Sequence, residues 1–154
     1  MQSKIKLSPE WQATMASVLL GVCIAVAISP KDSFFLGNFI IYWGPQAVIL
    51  IFLSLASRNH SVVASTAVIL ALYLAAFNFW VTSHIRPDPL ALAWLGYLFS
   101  LPGAAIGATF GAFLIAAGFI PRFISLAALS AFCTLLGLVL NQLVVCSTVM
   151  HCSV

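Results

Sequence analysis

Charge is what this chain has least of: six Lys or Arg and three Asp or Glu among 154 residues, or 6%. A soluble domain carries about 25% charged residues and about 45–50% apolar ones; here 63% are hydrophobic. Disorder is excluded too, because it needs low hydrophobicity with high net charge, and the net charge is only +3. Basic clusters are missing as well. Binding a phosphate backbone needs several cations on one face, so no nucleic-acid partner is expected. Nor is there a G-x-S-x-G, a P-loop, a dinucleotide fingerprint or an H-E-x-x-H. The chain is therefore expected not to be an enzyme and to hold no cofactor and no metal.

Long apolar runs are abundant instead. With a mean hydropathy of +1.15, a soluble globule of this size could not cover its apolar surface with polar groups. Five stretches, about Gln12–Ile28, Phe39–Ser57, Val62–Ser83, Leu90–Phe119 and Phe123–Val145, contain no Lys, Arg, Asp or Glu. A helix crossing the hydrocarbon needs about 20 residues. Backbone groups in lipid must be satisfied within the segment, and the apolar–polar alternation of a barrel strand is absent. The expected fold is all-α: a polytopic integral membrane protein, one transmembrane domain over 1–154, built as an antiparallel bundle of five helices. Short polar connections predict that sequential helices are neighbours. The first run follows Lys4 and Lys6 as a signal peptide would, but it is long for an h-region, so a retained helix is expected. The fourth is too long for an upright span. It either kinks near Pro102 or divides into an interfacial part, Leu90–Tyr97, and a spanning part.

Five spans put the termini on opposite sides. Lys4, Lys6, Arg58 and Arg122 fall on one side, Lys31 and Arg86 on the other. The positive-inside rule then predicts a cytoplasmic N-terminus and an outside C-terminus, and short loops suggest a bacterial inner membrane. Tyr42, Trp43, Trp80, Trp94 and Tyr97 fall near the outer ends of their helices and Trp11 near the inner end of the first, as interfacial anchors do.

No ionisable residue lies inside a span, which argues against a proton-coupled carrier or a voltage sensor. The intramembrane polar residues are Gln46, Asn78, Asn141 and Gln142. They are expected chiefly as hydrogen-bonding glue between helices, with a solute path as the alternative. His60, His84 and His151 sit in turns or the tail, without metal-site spacing. Cys23 and Cys133 lie in spans, where cysteine acts as a small hydrophobe. Cys146 and Cys152 bracket a short tail that would lie in an oxidising compartment, so a disulfide between them is expected. It requires the last helix to end near Cys146, because an unbroken helix holds these positions about 9 Å apart along its axis, beyond the Cα separation a bridge tolerates.

The clearest motif is a glycine zipper: Gly103, Gly107 and Gly111 recur every four residues, flanked by Ala104 and Ala108. Such a stripe lets helix backbones approach closely, either on a helix of the same chain or at a seam with another. The expected partners are the lipid bilayer and another membrane protein or a second copy. The resulting expectation is a small protein that acts by binding a partner, as an accessory subunit of a membrane complex or as an immunity or inhibitor protein. An oligomeric channel, holin-like pore or small-solute transporter is the alternative.

Overall fold

The computed structural model describes residues 8–57, 59–84, 90–118 and 123–150. Ser8 opens the first helix, its hydroxyl accepting the Trp11 amide at 3.4 Å, and Pro9 occupies the first turn, where its missing N–H costs nothing. Helix α1 therefore runs Pro9–Ile28, starting three residues before the apolar run. It stops at Ser29, which Pro30 follows. Asp32 then starts the next helix, accepting the Phe34 amide through Oδ1 at 2.9 Å in the side-chain turn typical of aspartate. As a result α2 spans Phe35–Ala56 instead of Phe39–Ser57. Asn59 organises the following turn in the same way, accepting the Ser61 amide at 3.1 Å, and α3 spans His60–His84.

Helix α4 runs unbroken from Leu90 to Ala116 with Pro102 inside it, so its N-terminal part is not a separate interfacial helix. It ends three residues short of the expected Phe119 because Gly118 takes a left-handed φ of 80°, the usual helix-ending role of glycine. Helix α5 spans Phe123–Val145, as expected, and widens into a π-helical turn at Cys146–Met150. The hydroxyls of Ser147 and Thr148 both donate to the Val144 carbonyl there. All five helices are long and apolar enough to cross a bilayer. The chain is an all-helical integral membrane protein.

Helix α3 is the axis of the bundle and packs on all four of the others. Its buried residues Val63, Ala67, Leu70, Leu74, Phe77 and Val81 repeat at alternating steps of four and three, the spacing that keeps one face turned to its neighbours. Sequential adjacency is followed only in part. The α4–α5 pair forms the most extensive interface, but α1 packs chiefly on α3 and lightly on α2. Gly21 and Ala25 of α1 are buried, and Gly21 lies between Trp43 and Gln46 of α2 and Ala71 of α3. Thr14 of α1 adds a hydrogen bond to the His60 carbonyl at the start of α3.

Candidate functional site

The most polar point in the core is built around Gln46, at the middle of α2. It is 1% exposed. Its Nε2 donates to Tyr97 Oη of α4 at 2.6 Å and to the Leu70 carbonyl of α3 at 3.4 Å. Tyr97, fully buried, donates in turn to the Tyr42 carbonyl of α2 at 2.9 Å. Three helices are thereby tied at one node. Aromatic rings enclose it: Tyr73 stacks on Tyr97 at 5.7 Å, Tyr42 meets Trp94 at 4.2 Å, and Phe77 touches both Trp94 and Tyr97. Tyr42 and Tyr97 are thus core residues and not the interfacial anchors their positions suggest. Trp80, about half exposed, keeps an outward position.

The Tyr42 carbonyl lies in the turn next to Pro45. Pro45 has no N–H to give the Ile41 carbonyl four residues back, and the adjacent Tyr42 carbonyl accepts a hydroxyl from α4. The same arrangement recurs in α4. Three residues before Pro102, the Phe99 carbonyl accepts Asn141 Nδ2 of α5, just as Tyr42 stands three residues before Pro45. In both helices the carbonyl three residues before the proline accepts a side chain from another helix.

Gln142 accepts from the Tyr73 hydroxyl at 3.4 Å and donates to Cys146 Sγ at 3.7 Å. Asn78 stands apart: half-buried on α3, its side chain makes no hydrogen bond among the described residues, while its carbonyl accepts Thr82 Oγ1. One further polar pair, not anticipated, joins α3 to α5 through the hydroxyls of Thr66 and Thr134 at 3.4 Å.

The stripe of Gly103, Gly107 and Gly111 faces α5 of the same chain. A Cβ on Gly103 would strike the Gly137 carbonyl, and one on Gly107 the Cys133 carbonyl. At Gly111 it would sit 3.2 Å from Ser130 Cα. Ala104 and Ala108 are fully buried beside them. Gly137 completes the seam from the other side, its own Cβ position blocked by the Gly103 carbonyl. Sequence reasoning missed it, although Ser130, Cys133, Gly137 and Asn141 recur at steps of three and four, a small and polar face that would have pointed to α5.

No family model, no curated protein and no solved structure matches this chain. Its chemistry must be read from its own residues. Among the described residues no three of His, Cys, Asp and Glu gather as a metal site. His60 packs its ring 6.5 Å from that of Trp11, while His151, Asp88 and the side chain of His84 lie outside the described residues. Cys23 and Cys133 are free thiols. Cys146 is disulfide-bonded; Cys152, the other half of the expected bridge, lies outside the described residues. Alkylation of the membrane-extracted protein without reductant is expected to modify Cys23 and Cys133 after unfolding and to leave Cys146 unmodified. An alkylated Cys146 in non-reduced mass analysis would remove the bridge.

Proposed function

We propose that the chain acts by binding, as an accessory subunit of a membrane complex or as an immunity or inhibitor protein, and that it performs no catalytic step. One observation supports this reading above the rest. The polar groups Gln46, Asn141 and Gln142 and the glycine stripe all join helices of the same chain, so what the bundle turns outward is apolar. Leu55, 83% exposed, and Phe79, Ile106 and Leu143 belong to that outer face. A pore made of several copies relied on the glycine stripe as its seam, and α5 already occupies it.

The proposed location is a bacterial inner membrane with the N-terminus in the cytoplasm, supported by the four-to-two distribution of Lys and Arg between the two sides. An impermeant thiol reagent added outside intact cells is then expected to spare a cysteine introduced at Asn59. Labelling there would reverse the orientation.

The binding reading is tested with the purified chain in dye-loaded vesicles and with photo-crosslinkers in cells. The vesicles are expected to stay sealed. A crosslinker at Leu55 or Phe79, both exposed, should capture one defined membrane protein in near-equal amount. Dye release at physiological protein density, or crosslinks solely between copies of this chain, would favour the pore.

A further inference from the structure

Two adjoining hollows lie on the surface of the bundle, along the last turns of α2 and α4. The outer one, about 840 Å³, is lined by Glu10, Ser57, Asn59, Thr109 and Phe113 among others. The inner one, about 520 Å³, is walled by Phe52, Ala105, Ile106 and Phe110, and shares Thr109 and Phe113 with the first. They form one groove whose polarity changes along its length. Its mouth has a carboxylate, a hydroxyl and an amide, and its depth is wholly aliphatic or aromatic apart from Thr109, whose hydroxyl is already bonded to the Ala105 carbonyl.

The length of the groove is informative. From Ala116 at the mouth to Ala105 at the inner end the helix rises about 16 Å, and half of a hydrocarbon core is about 15 Å. The groove is therefore one leaflet deep, with its polar end where the head groups lie. Among the described residues its mouth also has unused bonding capacity. No ion pair engages Glu10 among the described residues. Ser57 Oγ accepts the Asn59 amide and Asn59 Oδ1 accepts the Ser61 amide, so the Ser57 O–H and the Asn59 Nδ2 donors have no acceptor among the described residues.

We propose that this groove is a lipid site, holding one acyl chain of a phospholipid whose head group carries a primary ammonium. Glu10 receives the ammonium, and Ser57 and Asn59 donate to the phosphate or ester oxygens. A carboxylate selects the ammonium of phosphatidylethanolamine over the quaternary nitrogen of phosphatidylcholine, because only the former has N–H groups to donate, and hydrogen bonds to charged groups are the stronger kind. The inference does not depend on which protein partner the chain binds.

The test uses the full chain, delipidated in a maltoside detergent and titrated with dioleoyl phosphatidylethanolamine, phosphatidylcholine or phosphatidylglycerol in mixed micelles, with retained lipid read by native mass spectrometry. Phosphatidylethanolamine is expected to bind about five- to tenfold more tightly than phosphatidylcholine, the increment of one charge-assisted hydrogen bond at a partly solvated site. Glu10→Gln, at an exposed position, should bring the two lipids within about twofold of each other. Thr109→Trp, also at an exposed position, should block the groove and remove retained lipid of every kind while leaving the helical circular dichroism unchanged. Equal binding of the three lipids by the parent, a preference that survives Glu10→Gln, or lipid retention unaffected by Thr109→Trp would each overturn the site.

Discussion

Gly107→Ala is expected to destabilise the bundle as severely as most leucine substitutions elsewhere, and Gly107→Leu to prevent its assembly. Overpacking a core costs about 1–3 kcal/mol, occasionally more, when side chains can shift aside. At Gly107 the obstacle is the Cys133 carbonyl, which is main chain of a neighbouring helix and has no rotamer to change. The whole α4–α5 interface must separate to admit one methyl group. A graded series makes the reasoning checkable. Gly103→Ala should match Gly107→Ala, since it meets the Gly137 carbonyl, and Gly111→Ala should cost less, with its nearest neighbours at 3.2 Å. Gly37 of α2 has nothing within 4 Å of a new Cβ, so Gly37→Ala should be neutral or stabilising by up to about 1 kcal/mol through helix propensity. Unfolding in mixed detergent–SDS micelles measures all four. If Gly107→Ala unfolds at the same SDS fraction as Gly37→Ala, the seam is not packed as described.

The second large effect is expected at the Gln46–Tyr97 node. Tyr97→Phe removes one hydroxyl but disrupts two bonds: Gln46 loses its shorter acceptor and the Tyr42 carbonyl loses its side-chain donor. A hydrogen bond between membrane helices is worth about 0.6–2 kcal/mol, and a buried polar group left unsatisfied costs about 1–3 kcal/mol. A loss of about 2–3 kcal/mol is therefore expected from Tyr97→Phe, with Gln46→Leu comparable. The double variant should lose clearly less than the sum, because removing both partners leaves fewer orphaned groups than removing one. Strict additivity in the same SDS titration would mean that the two side chains do not share a bond in the membrane.

The fold was legible from composition and run length, because a bilayer permits so few backbone solutions. All five helices follow from their apolar stretches. Their ends were less so. The start of α2 is set by Asp32 and the end of α4 by Gly118, local turn chemistry that a hydropathy window averages away. The packing order was legible only in part. The glycine stripe marked the tightest contact but not its partner, because the complementary face on α5 mixes serine, cysteine, glycine and asparagine and has no single-residue signature. Tyr42 and Tyr97 were misleading for a physical reason: a tyrosine ring serves equally as an interfacial anchor and as a core residue, and only the packing of Tyr42 on Trp94 and the Tyr97 hydroxyl on the Tyr42 carbonyl decide between them.

The two bonds to the Tyr42 and Phe99 carbonyls also bear on how the chain is made. The carbonyl of Tyr42 is met by a hydroxyl encoded 55 positions later, and that of Phe99 by an amide 42 positions later. A ribosome adds about 5–20 residues per second, so α2 waits about 3–11 s, and α4 about 2–8 s, before the side chain that completes it emerges. During that interval the Tyr42 and Phe99 carbonyls lack the cross-helix donors they have in the finished bundle. The α2–α4 bond can form only after α4 is made, and the α4–α5 bond only after α5. A chain truncated before Asn141 would lack the donor to the Phe99 carbonyl.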